Sequence, residues 1–205
     1  NAFYEGKLKT TDVINWEKQH SLSFTSNVVW YDTGKLTDKE DKQKGTGKIN
    51  QYNARIIERV LNQLKAEMSS HNKNYDIGII TPYKAQMELL RNRLAIKKNY
   101  TDCKIDIGTV DSFQGSDRDI IIYDCVRSGK LKQRAKIDFI AEEKRLNVSL
   151  SRAKLLLIIV GDMDFLHQAK VSDKNNPFKA IIEYIAQNKD KYTVIEEKQN
   201  VRKAK

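Results

Sequence analysis

Residues 145–160 read RLNVSLSRAKLLLIIV, a charged and polar segment that passes directly into an apolar run. The first part has Arg145, Ser149 and Arg152 at positions i, i+4 and i+7, a spacing that predicts one shared face of a helix. The apolar run at residues 155–160 is typical of a strand buried on both faces of a parallel sheet. A helix followed at once by a buried strand indicates an α/β fold.

The same strand pattern recurs along the chain. Clear apolar runs predict strands at residues 77–81 and 119–126. Weaker runs predict further strands at residues 28–32, 105–110 and 193–195.

Three stretches between these runs carry apolar residues at helical spacing. Asn176 is expected to cap the last of these helices, with Pro177 at its first position. Strands that alternate with helices predict a doubly wound α/β domain with a mainly parallel sheet, helices on both faces, and ligands at the carboxyl ends of the strands. The apolar stripes are Tyr52, Ile56, Val60, Leu64 and Met68; Tyr83, Met87, Leu90 and Leu94; and Phe178, Ile181, Ile182 and Ile185.

Composition limits the partners and the chemistry. The chain has 205 residues, and its net charge of +10 favours a nucleic acid or another polyanion as partner, although charge speaks only to association. Cys103 and Cys125 form no CxxC pair and the histidines are scattered, so neither a metal site nor a disulfide is expected. Reduced thiols favour a cytoplasmic location, or a nuclear one in a eukaryote. No apolar run approaches the roughly 20 residues that span a membrane, so no membrane is expected as partner.

The expected organisation is one domain over residues 1–197 with a basic tail at residues 198–205. Residues 33–47, TGKLTDKEDKQKGTG, are polar, charged and punctuated by glycines, which is typical of a mobile loop. The sequence starts without Met, and we expect it to be a piece of a longer protein.

Arg145 and Arg152 are the first candidates for chemistry. Guanidinium groups stay charged at ordinary pH and bind phosphate oxygens in a bidentate fork, so two arginines on one rigid helix suit a nucleoside triphosphate. The alternative is a solvated basic stripe whose arginines are ion-paired.

Short polar side chains crowd around Gly115 in the segment TVDSFQGSDRD, residues 109–119. Glycine allows a close approach of the backbone to a ligand. Such a loop can hold a sugar hydroxyl through a carboxylate and a phosphate through hydroxyls and amides, although an ordinary polar turn is the alternative. The polar residues are Thr109, Asp111, Ser112, Gln114 and Asp117.

Residues 80–86, ITPYKAQ, place Thr81 at a predicted strand end and Pro82 at a predicted helix start. The first turn of a helix can bind a backbone phosphate, and an exposed Tyr83 could stack on a base. The alternative is an N-cap followed by a core aromatic residue, because Tyr83 also begins an apolar stripe.

Two segments resemble nucleotide-binding motifs but are incomplete. The GTGK of residues 45–48 has Lys42 where a phosphate loop needs Gly, and Ile49 where Ser or Thr is required. The IIIYD of residues 120–124 resembles a Walker B strand, but Cys125 follows it instead of an acid. We therefore expect the chain to lack its own Walker A and Walker B, which argues against a complete small nucleotide hydrolase.

Four segments, in order FYEGKL, IGIITPYKAQ, TVDSFQGSDRDIII and RLNVSLSRAKLLLIIVGD, resemble the second RecA-like domain of superfamily 1 helicases of the nonsense-mediated-decay and senataxin-like group. The resemblance covers roughly residues 3–195, with motif IV at residues 81–86, motif V at 109–119 and motif VI at 145–154. It implies a RecA-like α/β domain of the P-loop NTPase and AAA type, working within an ATP-hydrolysing helicase.

The resemblance also implies nucleotide-facing residues. Arg152 matches the motif VI arginine finger, which reaches the γ-phosphate of ATP held by the first domain. Asp117 matches an acid that contacts the ribose, although the family usually has Glu there. Gln114 and Gly115 match the centre of motif V, and Arg145 matches the first arginine of motif VI, with a more structural role.

The predicted nucleic-acid contacts are Thr81 and Thr109, which match positions where the family touches the backbone, together with Tyr83 and Ser112. The implied partners are single-stranded DNA or RNA and the first RecA-like domain of the same polypeptide. The implied cofactors are ATP and Mg²⁺, held mainly by that first domain. The alternative function is a non-catalytic nucleic-acid-binding or adaptor domain that has kept the helicase fold.

Overall fold

The computed structural model of the chain describes residues 22–113, 116–130, 136–172 and 175–198. Six of its strands form one sheet in which every neighbouring pair is parallel. The strands are β1 (Val28–Asp32), β2 (Lys42–Lys44), β3 (Gly47–Ile49), β4 (Ile77–Thr81), β5 (Ile105–Thr109), β6 (Arg118–Asp124), β7 (Ala153–Gly161) and β8 (Thr193–Glu196). The order across the sheet is β5-β4-β6-β7-β1-β8, while β2 and β3 form a separate antiparallel hairpin.

Helices cover both faces of this sheet. They are α1 (Gln51–Ser70), α2 (Lys84–Leu94), α3 (Ile96–Asn99), α4 (Glu143–Leu150), α5 (Met163–Gln168) and α6 (Pro177–Gln187), with a short 3-10 helix at Val110–Phe113. Alternate residues of a strand serve opposite faces: Ile122 of β6 joins the core under α1 and α2, and Tyr123 joins the core under α4 to α6. Burial on both sides explains why the strands are continuously apolar. The doubly wound α/β architecture predicted from the sequence is therefore confirmed.

Individual elements agree closely with their sequence patterns. The strand predicted at residues 77–81 matches β4 residue for residue, and all three weaker strand predictions correspond to β1, β5 and β8. Asn176 caps α6, because its side-chain oxygen accepts a hydrogen bond from the Phe178 backbone N–H at 3.0 Å, and Pro177 is the first residue of that helix. Both predictions for this helix start are confirmed.

Two helix boundaries differ from the prediction. Helix α4 ends at Leu150, so Arg152 lies in the turn before β7 and does not share a helical face with Arg145 and Ser149. Helix α2 begins at Lys84, and Tyr83 is its N-cap residue rather than part of the first turn. In both places the apolar spacing extends beyond the helix, past the end of α4 and ahead of the start of α2. Apolar spacing alone does not show where a helix begins or ends.

The segment predicted as a mobile loop, residues 33–47, contains strand β2 and the turn into β3. Asp41 anchors it through ion pairs to Lys48, at 2.8 Å, and to Arg127, at 2.9 Å. The segment is therefore folded and tethered, and its mobility stays a prediction. The incomplete phosphate-loop match GTGK forms the hairpin turn and does not connect a strand to a helix.

Two expectations from composition bear on the cysteines and on membranes. Cys103 and Cys125 are free thiols, and burial raises the pKa of Cys125 well above its usual range. None of the helices in the described ranges combines the length and apolar character that crossing a membrane requires.

Candidate functional site

Because all six strands of the main sheet are parallel, the sheet has a carboxyl edge and an amino edge with different residues. The carboxyl edge carries Thr81 and Thr109, the last residues of β4 and β5. The amino edge carries Asp117, just before β6, and Arg152, just before β7. Asp117 and Arg152 therefore lie at the edge opposite to the carboxyl ends, where ligands are expected to gather.

At the amino edge, Arg152 and Asp117 form an ion pair. The Nη1 of Arg152 donates to Oδ1 of Asp117 at 2.8 Å, and its Nε donates to the Val148 carbonyl at 3.2 Å. The Arg152 side chain is 24% exposed and that of Asp117 is 51% exposed. The structure thus brings together the two residues for which the sequence predicts contacts to phosphate and ribose.

The sheet register explains this pairing. Strands β6 and β7 are neighbours, with Arg118 opposite Ala153. The backbone N–H of Arg118 donates to the Arg152 carbonyl at 3.0 Å, which extends the strand pairing by one residue. Asp117 and Arg152 are the residues just before these strands, so their side chains meet at the same corner of the sheet.

The exposure of this pair governs what it can do. Ion pairs that are open to solvent contribute about 0–1 kcal/mol, because water and salt compete with them. A guanidinium that is held this weakly can exchange one carboxylate for a more highly charged oxyanion at small cost. The arrangement therefore suits a residue that changes partner when an anion arrives.

At the other end of α4, Arg145 makes more contacts, although its ion pair with Asp111 is also open to solvent, with side chains 33% and 67% exposed. Its Nη2 donates to both carboxylate oxygens of Asp111, at 2.9 and 3.0 Å, and its Nε lies 3.4 Å from Glu142. Its guanidinium also covers the ring of Phe139, with 5.1 Å to the centroid. These contacts tie α4 to the 3-10 helix and support the structural role implied for Arg145. They also leave it about one helix length, roughly 12 Å, from the Arg152 end.

The two ion pairs join two segments that run in the same direction from the carboxyl edge to the amino edge. Asp111 and Asp117 belong to the segment that leads from β5 to β6, whereas Arg145 lies in the first turn of α4 and Arg152 follows its end. One pair connects the starts of these segments, and the other connects their ends. A shift of α4 along its axis would therefore change the ion pairs at both edges of the sheet.

Polar groups at the carboxyl edge differ in accessibility. Thr81 is fully buried, and its hydroxyl has no hydrogen-bond partner within the described residues. Thr109 is half-buried, and Ser112 is exposed, with its hydroxyl donating to the Thr109 carbonyl at 2.7 Å. The tight turn depends on Gly108, because a Cβ there would lie 2.0 Å from the Ser112 Oγ. Thr109 and Ser112 can meet a ligand directly, whereas the buried Thr81 side chain offers no surface for the contact predicted for it.

Tyr83 lies near this edge and is half-buried. Its ring stacks on Phe139 with centroids 5.2 Å apart and an interplanar angle of 31°. Burial raises the pKa of Tyr83, and the charge of Arg127 partly opposes that rise. Tyr83 is therefore neither a fully buried core residue nor a fully exposed one. Its ring reaches the surface through its contact with Phe139.

A buried polar network behind this edge was missed by the sequence reasoning. Asp124, the last residue of β6, accepts hydrogen bonds from the side chains of Asn53 and Gln86, both at 2.7 Å, and from the Val126 backbone N–H at 2.9 Å. Burial raises the pKa of Asp124 to about 6, and these three donors limit the rise. Asn50 completes the network, because its backbone N–H donates to the Gln86 side chain at 2.8 Å. The carboxylate that resembles a Walker B acid is therefore committed to internal hydrogen bonds.

The remaining predicted features lie wholly or partly outside the described residues. These are Gln114 and Gly115 of motif V, the FYEGKL segment at residues 3–8, and the basic tail apart from Lys198. Within the described part of the chain, no group of three or more His, Cys, Asp or Glu side chains is arranged to hold a metal ion.

Comparisons with known proteins agree with the motifs. A family model described as an AAA domain matches residues 1–164. Helicase sen1 of Schizosaccharomyces pombe is 32% identical over 169 residues, which is 80% of this chain and 10% of the relative. The DNA polymerase alpha-associated DNA helicase A of Saccharomyces cerevisiae is 32% identical over 163 residues, 80% of this chain and 22% of the relative.

A third relative links the chain to the decay group. The regulator of nonsense transcripts 1 homolog of Neurospora crassa is 30% identical over 173 residues, covering 79% of this chain and 15% of the relative. The chain thus spans between 10% and 22% of the length of these three relatives. The similarity therefore concerns one domain-sized part of much longer proteins.

Proposed function

Since the chain belongs to the superfamily 1 helicases of the nonsense-mediated-decay and senataxin-like group, we propose that it is the second RecA-like domain of an ATP-dependent DNA or RNA helicase. In this role it supplies an arginine finger and a ribose contact to a nucleotide that the first RecA-like domain holds. It also supplies backbone contacts to single-stranded nucleic acid. A cytoplasmic or nuclear location is part of the same proposal.

The observation that carries this proposal is the ion pair between Arg152 and Asp117 at the amino edge. These two residues match the family positions for the γ-phosphate and the ribose, and they are held next to each other by the register of β6 and β7. An unrelated basic stripe would not require that its arginine contact this particular acid.

The two residues act in sequence when a nucleotide is present. Arg152 would exchange Asp117 for the phosphate oxygens, where its guanidinium fork would stabilise the charge of phosphoryl transfer. Asp117, released from the arginine, accepts hydrogen bonds from ribose hydroxyls. Asp117 is one methylene shorter than the Glu that is usual in the family, so its carboxylate reaches less far from the backbone.

The residues present fit part of the Mg²⁺–ATP requirement. Arg152 can hold a phosphate and Asp117 a ribose, whereas no cluster of metal-binding side chains occurs in the described ranges. Mg²⁺ and the triphosphate cradle are therefore assigned to the first domain. When bound there, Mg²⁺–ATP supplies the phosphoryl group and its electrophilic polarisation.

Single-stranded nucleic acid is assigned to the carboxyl edge. Thr109 and Ser112 offer hydroxyl groups there, and hydroxyls commonly contact phosphate and sugar. Backbone contacts carry no sequence information, so we expect binding to be tolerant of sequence and to weaken with salt.

ATP hydrolysis by two forms of the protein tests this proposal. We expect the chain of 205 residues to hydrolyse no ATP above background, because the triphosphate cradle is missing. The longer polypeptide, which carries the first domain, should hydrolyse ATP faster when single-stranded nucleic acid is added. If the longer polypeptide binds nucleic acid without hydrolysis, the adaptor alternative is correct; if the short chain hydrolyses ATP by itself, the two-domain proposal is wrong.

A further inference from the structure

We propose that Phe139, backed by Tyr83, is a stacking platform for a base of the single strand, and that lysines of the adjacent cavity hold the phosphates beside it. This inference rests on the proposed function, because it assumes that the strand follows the carboxyl edge. It adds a base-contacting site to the backbone contacts assigned there.

The exposure of Phe139 is the first support. Its side chain is 49% exposed, while its neighbours Ile137 and Ile140 are 1% and 2% exposed. Only two other large hydrophobic residues in the described ranges are classed as exposed, Tyr184 and Val194. The chain segment is therefore well anchored on both sides, yet it presents one aromatic ring to solvent.

The setting of the ring is the second support. Tyr83 lies against Phe139 with a centroid distance of 5.2 Å, and the Arg145 guanidinium lies 5.1 Å from its centroid. Tyr83 is half-buried as the N-cap residue of α2, and Arg145 is fixed by Asp111. Phe139 is thus held in place by two restrained neighbours that lie against its ring, and a base can contact the half of its surface that they leave exposed.

A basic cavity beside the ring is the third support. Phe139 and Tyr83 line a cavity of about 790 Å³ together with Lys44, Lys48 and Lys84. That volume lies within the range of about 300–1,000 Å³ that is usual for ligand sites. Base–aromatic stacking next to lysines is the usual chemistry of single-strand binding.

The charge balance of the cavity favours an anion. Lys44 and Lys84 are exposed and have no ion pair recorded within the described residues, while Lys48 is paired with Asp41. Glu88 is the one acidic residue of the lining. The hairpin that supplies Lys44 packs on α2, since a Cβ on Gly47 would lie 3.3 Å from the Cβ of Ala85.

The platform also continues the strand path already assigned. Phe139 contacts Arg145, Arg145 is bonded to Asp111, and Asp111 precedes the exposed Ser112. A strand that touches Thr109 and Ser112 therefore has a continuous surface toward the ring. We take a single strand as the occupant because it alone offers both a base face and successive phosphates to these groups.

Fluorescence anisotropy on the chain can separate stacking from phosphate binding. The two ligands are a labelled thymidine oligonucleotide about 12 nucleotides long and an abasic strand of the same length, which keeps the phosphates and lacks the bases. The variants are Phe139→Leu, which keeps an apolar side chain, Lys84→Ala, and the control Tyr184→Leu, which removes an aromatic ring that is 37% exposed on α6. A thermal melt of each variant checks the fold.

We expect the parent to bind the thymidine strand more tightly than the abasic strand. Phe139→Leu should weaken thymidine binding on the order of tenfold and leave abasic binding unchanged. Lys84→Ala should weaken both and reduce the salt dependence, and Tyr184→Leu should change neither. Millimolar ATP should not displace the thymidine strand.

Each of the other outcomes contradicts one part of the proposal. If both strands bind equally and Phe139→Leu has no effect, the platform is wrong and the proposed function stands. If neither strand binds, the carboxyl-edge path is wrong and so is the platform. If ATP displaces the strand in the parent and not in Phe139→Leu, the ring is a mononucleotide site.

Discussion

Arg152 and Asp124, charged residues at opposite edges of the sheet, are held in opposite ways. At the amino edge, Arg152 and Asp117 share one exposed ion pair. At the carboxyl edge, Asp124 is fully buried and accepts hydrogen bonds from three donors. The first arrangement is easily exchanged, and the second is expensive to disturb. A lightly held side chain suits the proposed role of Arg152, which is to meet a nucleotide held by another domain, whereas Asp124 is fixed within this domain.

Helix α4 connects the two edges of the sheet. Arg145 fixes its first turn near the carboxyl edge, and Arg152 follows its last turn at the amino edge. The ion pair of Arg145 with Asp111 and that of Arg152 with Asp117 therefore hold the two ends of this helix segment.

The largest expected effect comes from removing the guanidinium of Arg152. Arg152→Ala in the longer polypeptide should lower ATP turnover by roughly 10³–10⁵, the usual contribution of such an arginine. Arg152→Lys should restore little, because a point charge cannot reproduce the bidentate fork. Steady-state turnover and thermal melting measure this. The melting temperature should barely change, because Arg152 lacks the additional Glu142 and Phe139 contacts that Arg145 makes.

Arg145→Ala is the matched control at the fixed end of α4. It should lower the melting temperature as well as turnover, since Arg145 ties the helix to Asp111. Normal turnover in Arg152→Ala together with a loss in Arg145→Ala would mean that the finger is the other arginine.

The buried carboxyl group of Asp124 should make the free energy of unfolding depend on pH. The pKa of Asp124 is raised by burial to about 6, above its ordinary value of 3.8, so the folded state binds the proton more tightly than the unfolded state. The stability contributed by this protonation is complete below pH 4 and is lost as the pH rises through 6. The loss is about 3 kcal/mol, at roughly 1.4 kcal/mol per pKa unit.

Denaturant unfolding of the parent and of Asp124→Asn between pH 4 and pH 7 measures this effect. The variant minus parent difference in the free energy of unfolding should rise with pH by about that amount. The variant also replaces one acceptor oxygen with an NH2 donor, which shifts the difference by a constant. A difference that does not vary with pH would mean that Asp124 keeps an ordinary pKa in the folded state.

A smaller effect is expected at Thr81, whose buried hydroxyl has no partner in the described residues. Thr81→Val has nearly the same shape and removes an unsatisfied group, so it should raise the free energy of unfolding by about 1 kcal/mol. Strand binding should be unchanged. Thr33→Val is the matched control, because the Thr33 hydroxyl is also buried and has no partner among the residues that the structure describes. Destabilisation by Thr81→Val, or weaker strand binding, would show that its hydroxyl makes a contact.

The strands could be predicted from the sequence because each is an apolar run bounded by polar residues, and β4 agrees residue for residue. The position of Arg152 could not be predicted, since the RLNVSLSRAK segment keeps a helical period beyond Leu150, where the helix ends. Its pairing with Asp117 depends on which strands are neighbours and in what register, and one sequence does not contain that information.

The rest of the candidate site could not be predicted from the sequence for similar reasons. Asp124 was noticed as an incomplete Walker B acid, but its partners Asn53 and Gln86 are distant in sequence and show no joint pattern. Phe139 lies among residues of no clear period, and its exposure is a property of the folded surface.

Strand affinity without nucleotide, measured by anisotropy on the longer polypeptide, tests the separation of the two edges most directly. The account predicts that Arg152→Ala binds a single strand as tightly as the parent, because the amino edge does not touch the strand. Thr109→Val should weaken the same binding by about two- to tenfold, because it removes one hydrogen bond at the carboxyl edge. If Arg152→Ala weakens strand binding as much as Thr109→Val does, the two edges do not have separate roles and the account is wrong.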